Sequence, residues 1–415
     1  MALGLGLTLF VLLAAIQTSI EANIARTVPL RAPAPPALSV PATAAATAAT
    51  VTVTVKAITV LQPVAIDIAL GDRWEALVRQ LTASGLAALV RELAAQAGLQ
   101  RIDASTTPPT WHLLVERDTL RTAALADKLH NVGVALSGLI LVSCAIDLQT
   151  LVFAPANDLP FALFLPAFAN VAQYHGLLAG PLGQSPLAAR SAAEAFVQED
   201  YVAALHAGAR LSTAQRGRIA RRLSELTGLP QALVEEKNLR INDQTFFFEA
   251  LRSRGRMVGR LDARATGPMA ASRSREWEFD PGIESIAAPY ATAAMAYFGE
   301  QLGLDMEHRY QVLAGDVTSG WNWNRGTDQG NGYACTSPDL ARALRRNPQL
   351  KVLVASGRYD LGTPYSASDW SLAQLDVPQD VLARVTHRYY DAGHMMYTRQ
   401  ADLVQLHADL AAWRH

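Results

Sequence analysis

Hydrophobic and polar positions alternate in four different ways along the chain, and the changes mark its expected divisions. Residues 1–16 are almost wholly apolar (Leu3, Leu5, Leu7, Leu9, Phe10, Val11, Leu12, Leu13, Ile16). The run is shorter than the roughly 20 residues a membrane-spanning helix needs and suits a signal-segment core, although no Lys or Arg precedes it. Residues 1–32 are therefore expected to be signal-like or membrane-anchoring. Residues 33–63 are rich in Ala, Pro, Thr and Val, with Pro33, Pro35, Pro36 and Pro41 ahead of an alanine tract and Val51-Thr52-Val53-Thr54-Val55. So narrow a set of side chains cannot pack a core, which predicts an extended or disordered linker. Residues 64–130 return to helical spacing: Trp74, Leu77, Val78 and Leu81, then Leu86, Leu89, Val90 and Leu93, with Gly98 as a stop. A strand from Trp111 to Val115 and a helix from Thr119 to His130 complete a small expected α+β unit.

From residue 131 onward the pattern changes again. Val134 to Ser143 holds a nearly continuous apolar run, as does Lys351-Val352-Leu353-Val354-Ala355-Ser356-Gly357, and Val385 to Tyr390 forms a third short run. Such runs are expected of parallel strands buried on both faces. Between the first and second, residues 188–206, 212–226 and 230–237 have helical periodicity, followed by an Arg-rich stretch from Leu251 to Asp262. The expected class is α/β, with an incomplete parallel sheet and a large helical insertion, about residues 158–305, acting as a cap over a site.

Composition narrows the chemistry. The 415-residue chain carries a formal charge of −1 and has no Lys/Arg stripe, so no nucleic-acid role is expected from electrostatics. Its two cysteines, Cys144 and Cys335, lack metal-ligand spacing. Two buried thiols are favoured over a disulfide, and neither a metal nor a cofactor is expected.

Two short runs carry the candidate chemistry: Ser356-Gly357-Arg358-Tyr359-Asp360 and Asp391-Ala392-Gly393-His394-Met395-Met396. Each follows an expected strand end, where open α/β sheets collect ligands, and Gly357 and Gly393 allow tight backbone beside each. A histidine acting as general base needs a carboxylate to fix its tautomer, which assigns partnered roles to His394 and Asp360. The plainer alternatives are Asp360 capping its own turn and His394 as a core histidine bonded to backbone. An α/β-hydrolase triad runs Ser, Asp, His along the chain, with the serine in a G-x-S-x-G turn. No such turn occurs. Gly183-Gln184-Ser185-Pro186-Leu187 comes nearest, without the closing glycine and with a proline expected to prevent the following helix.

Residues from 131 to the end resemble the bacterial branch of the serine carboxypeptidases, peptidases of the α/β-hydrolase fold. The likeness lies in Asn131-Val132-Gly133-Val134-Ala135-Leu136-Ser137-Gly138-Leu139, Val258-Gly259-Arg260-Leu261-Asp262, Trp321-Asn322-Trp323 and Pro338-Asp339-Leu340-Ala341-Arg342-Ala343-Leu344. It continues in Tyr359-Asp360-Leu361-Gly362-Thr363-Pro364 and Ala392-Gly393-His394-Met395-Met396-Tyr397. The resemblance implies that Asp360 orients His394 and that peptides are the substrates, cleaved at the C-terminus. It places the family's Gly-Glu-Ser-Tyr-Gly-Gly nucleophile turn on Val115-Glu116-Arg117-Asp118-Thr119-Leu120. Arg117 then falls at the serine, and a guanidinium that stays protonated is no nucleophile. Impaired catalysis is expected, with a catalytically inactive binding or interaction protein as the alternative.

Two smaller likenesses accompany it. Gly71-Asp72-Arg73-Trp74-Glu75-Ala76-Leu77 and Trp111-His112-Leu113-Leu114-Val115-Glu116-Arg117-Asp118-Thr119-Leu120 resemble the C-terminal domain of the tau subunit of bacterial DNA polymerase III, implying a polymerase-accessory role as a third reading. The first thirty residues resemble the start of an extracytoplasmic loop in FtsX-like permeases. The chain then reads as a fusion or truncation. Its apolar start favours a periplasmic or membrane-anchored location, with membrane association through residues 2–16.

Overall fold

The computed structural model describes residues 112–116, 119–131, 136–301, 303 and 333–414. The apolar start, the linker, most of the small unit, Arg117 and the Trp321-Asn322-Trp323 motif lie outside them. The chain divides into two compact units, and the one formed by Leu114–Asn131, Ala135–Ala287 and Asn322–His415 carries the sheet.

That sheet has four strands, β1 (His112–Glu116), β2 (Gly138–Val142), β5 (Lys351–Gly357) and β6 (Val385–Tyr390), in the order β1-β2-β5-β6. β2 and β5 pair in parallel, Leu139 opposite Val352, and β5 pairs in parallel with β6, Val354 opposite His387. All of β2 and all of β5 after Lys351 are buried, which explains their continuous apolar sequences. β6 is only partly covered, and its sequence Val-Thr-His-Arg-Tyr-Tyr carries the polar residues suited to an exposed flank.

Residues 114–116 of β1 and the helix that follows it, α1 (Thr119–Asn131), belong to the sheet's unit. His112–Glu116, within the stretch that carries the tau likeness, supplies the first strand of the sheet. Helix α1 packs on α10 (Ser337–Arg346). Asp127, whose side chain is 3 % exposed, joins them by accepting from Arg342 Nε at 3.0 Å and Arg346 Nη1 at 2.9 Å. Burial raises the affinity of this carboxyl for a proton, but the two guanidiniums outweigh that and hold it below its ordinary range. The arginines are themselves 44 % and 38 % exposed. Asp127→Ala should therefore cost about 2 kcal/mol, between a buried and a surface ion pair. A urea titration checks this, and a loss below about 0.5 kcal/mol would place the pair among ordinary surface contacts.

Among the described residues the stretch between β2 and β5 is largely helical: α2 (Leu159–Tyr174), α3 (Gly180–Gln184), α4 (Pro186–Phe196), α5 (Val202–Ala207), α6 (Thr213–Thr227), α7 (Gln231–Glu236), α8 (Asp243–Glu249) and α9 (Pro281–Ala296). A π-turn at Val197–Tyr201 joins α4 to α5, so the single helix expected over 188–206 is interrupted only there. α2 is the centre: Phe164, Phe168 and Val171 are buried, and Phe168 stacks on Phe246 of α8 at 4.2 Å. Each such buried phenylalanine contributes roughly 1.5–3 kcal/mol of transfer free energy. The Arg-rich stretch holds a short 3-10 turn (Arg252–Arg254) and then β3 (Arg256–Val258), which pairs antiparallel with β4 (Thr266–Pro268). The whole stretch closes at a neck beside β2, where Leu148 N donates to Ala334 O at 2.9 Å and Thr336 N to Ile146 O at 2.8 Å. Asp147 and Cys335 form a bridge between these two bonds. The remaining helices, α11 (Tyr365–Ala373), α12 (Gln379–Leu382) and α13 (Gln400–Arg414), flank or follow the last two strands.

Cys144 is buried and Cys335 half-buried, and both are free thiols; burial pushes the Cys144 thiol up to about 12. Among the described residues no helix is long and apolar enough to cross a membrane, and no His/Cys/Asp/Glu cluster is arranged to hold a metal.

Candidate active site

Asp360 follows β5 and His394 follows the neighbouring strand β6. Although 34 positions apart, they meet, with Asp360 Oδ2 2.8 Å from His394 Nδ1. Asp360 is fully buried and His394 is 7 % exposed. The carboxylate is well supplied with donors: Oδ1 accepts from Gly362 N at 2.7 Å and Thr363 N at 3.0 Å, and Oδ2 from Thr363 Oγ1 at 2.6 Å. Burial alone would raise its proton affinity, but the facing histidine and the Thr363 bonds reverse this and hold Asp360 below the ordinary carboxylate range. An ionised Asp360 fixes the proton on Nδ1, leaving Nε2 as the basic nitrogen. Among the described residues no hydroxyl engages that outer nitrogen.

The capping alternative and the triad reading are thus not exclusive. Asp360 binds the amides of its own turn and also faces the imidazole. His394 is held through its backbone as well: its N–H donates to Leu261 O at 2.6 Å, and its carbonyl accepts from Ser143 Oγ at 2.6 Å. Ser143 directly follows β2 with φ +52°, a left-handed conformation uncommon outside glycine. That turn directs its hydroxyl to the histidine loop. Gly357 and Gly393 have no room for a side chain: a Cβ on Gly357 would lie 2.1 Å from Gly393 O, and one on Gly393 2.3 Å from Leu261 O.

The position expected for a nucleophile is partly visible. Thr119, at the start of α1, is buried and exchanges two hydrogen bonds with the loop after β2, donating to Ala145 O at 3.0 Å and accepting from Ala145 N at 2.8 Å. The start of α1 is therefore anchored beside the loop after β2; Arg117 and Asp118 lie outside the described residues. Ser185, in the nearest approach to a nucleophile motif, is a helix cap whose Oγ accepts from Ala188 N at 3.4 Å. The proline after it does not prevent a helix. It stands in the first turn of α4, where its missing N–H costs nothing.

A second Ser-His-Asp chain, which the sequence does not reveal, lies between β5, β6 and α11. Ser356 Oγ is 2.9 Å from His387 Nε2, and His387 Nδ1 is 2.7 Å from Asp369 Oδ1, which also accepts from Tyr389 OH at 2.6 Å. The connectivity is that of a catalytic triad. Ser356, however, is fully buried on a regular strand, with no exposed Oγ to meet a substrate. The chain satisfies buried polar groups and ties β5, β6 and α11 together. Only the parallel register, Val354 opposite His387, brings these residues within reach, so no local motif could have announced them.

No family model, curated protein or solved structure matches the chain.

Proposed function

We propose that this chain is a serine-carboxypeptidase-like protein of α/β-hydrolase type that keeps the family's acid and base but lacks its nucleophile. The observation that carries this reading is the Asp360–His394 contact at 2.8 Å, formed at the carboxyl ends of two adjacent parallel strands. A strand, turn and helix enter the same sheet on the far side of β2. The order β1-β2-β5-β6, with an aspartate after the third strand and a histidine after the fourth, suits a triad whose first member would stand between β1 and α1. Arg117 occupies that turn in the sequence. The binding-protein form of the reading, with the peptide site retained and turnover impaired, is supported by the sequence, which has Arg117 where the resemblance places the serine.

The test compares a peptide with its C-terminal amide in titration calorimetry, alongside labelling by a fluorophosphonate probe. The free acid is expected to bind at least about tenfold more tightly, equivalent to about 1.4 kcal/mol. No serine should be labelled, Ser356 included. Equal affinity for acid and amide, or no binding, would remove the carboxypeptidase reading. A labelled serine whose labelling disappears in His394→Ala would show that catalysis is intact.

A further inference from the structure

The loop between β3 and β4 touches both halves of the candidate acid–base pair. On the acid side, Leu361 N donates to Arg260 O at 2.9 Å and Ala263 N to Tyr359 O at 3.0 Å. On the base side, His394 N donates to Leu261 O at 2.6 Å, and Arg264 Nη1 donates to Asp391 O. The gap between this loop and Gly393 would not admit a methyl group. The loop is thus a brace that sets the spacing of the two segments.

One side chain holds the brace. Asp280 is 8 % exposed and belongs to neither segment. Its Oδ1 accepts from Arg260 N at 2.9 Å and from Gly282 N at 2.9 Å, and its Oδ2 from Leu261 N at 3.1 Å. Its own carbonyl accepts from Ile283 N at 3.0 Å and Glu284 N at 2.9 Å, which makes it the N-cap of α9. A carboxylate at a helix start is held by the helix dipole and by charge-assisted amide bonds, so its position is rigid. That rigidity passes through two consecutive peptide units, Arg260 and Leu261, to the carbonyl that receives His394 N–H.

From this geometry we propose that Asp280 is a positioning residue for His394, fixing the imidazole against Asp360 through the Arg260–Leu261 backbone. The proposal rests on reading His394 as the general base, but its test requires neither turnover nor substrate. The readout is the low-field proton NMR signal of the His394 Nδ1–H···Asp360 hydrogen bond in the full chain, assigned by its loss in His394→Ala. Asp280→Ala should abolish that signal, and Asp280→Asn, which keeps one acceptor oxygen, should reduce it severalfold. Asp127→Asn, which loosens the α1–α10 contact elsewhere in the unit, should leave it in place. If Asp280→Ala does not fold, Asp280→Asn carries the test. An undiminished signal in the Asp280 variants would overturn the proposal, as would an equal loss in Asp127→Asn, which would mean that any loosening of the fold suffices. A failure of peptide binding would leave this signal unchanged, so the two readings fail separately.

Discussion

Gly357→Ala is expected to lower stability by about 3 kcal/mol, the upper range for forcing atoms into a filled site. The new methyl carbon would lie 2.1 Å from Gly393 O and 2.4 Å from Ala392 O, both backbone atoms that cannot rotate away. Either β5 or the histidine loop must move. Tyr359 N donates to Ala392 O at 3.0 Å and His394 directly follows Gly393, so that movement acts first on the Asp360–His394 contact. Urea unfolding should show the loss as a lower midpoint, with the His394–Asp360 proton signal lost even in the remaining folded protein. A change below about 1 kcal/mol would mean that the loop shifts easily, contrary to the packing described.

Asp360→Ala is expected to cost about 4 kcal/mol, the range for removing one partner of a buried ion pair. The loss leaves the amides of Gly362 and Thr363 without their acceptor, and leaves the Thr363 hydroxyl and His394 Nδ1, 3.2 Å apart, with only each other. The sign of its pH dependence follows from the folded carboxyl lying below its ordinary range. A depressed acid contributes stability that is fully present above its unfolded pKa of about 3.9 and is lost as pH falls through the folded value. The gap between wild type and Asp360→Ala should therefore be widest near neutrality and narrow below about pH 4. Unfolding free energies at pH 7 and pH 3 check this; a constant gap would show that Asp360 acts only by filling space.

The sequence pattern located the strands of the sheet well, both those buried on two faces and the partly covered β6. Lys351–Gly357 and Val385–Tyr390 form β5 and β6 over the expected residues, and β2 occupies the second half of the expected run. Helices with clear caps were also legible: Ser212 caps α6 through a reciprocal bond with Gln215, one residue from the expected start. α2 went unread because Pro160 and Pro166 interrupt a segment apolar on every side, so no amphipathic period marks it. β3 is obscured by flanking arginines: Met257 and Val258 are buried, while the exposed Arg256 bonds Thr266 across the hairpin.

The site divides in the same way. Asp360 and His394 stand in recognisable local strings beside glycines. Thr363 lies in the same string as Asp360 and bonds its carboxylate directly, whereas Asp280 and Ser143 act through contacts with backbone. Ser143 reaches a residue 251 positions away. Pairing at such separation is decided by sheet register and loop packing, which no short window of sequence contains.

The neck between Ile146 and Thr336 has a consequence for how such a chain can change. Thr336 and Ile146 are 190 positions apart yet hydrogen-bonded, and β2 and β5 pair just beyond them. The entropy of closing a loop grows only with the logarithm of its length, about 0.6 kcal/mol for each doubling. With its ends already joined, the intervening stretch can lengthen, shorten or be exchanged for another while the β2–β5 register remains almost as favourable. The β2–β5 pairing is thus insulated from the length of what lies between its strands, whereas the Asp360–His394 pair is not, because the β3–β4 loop that receives His394 N–H comes from that same stretch.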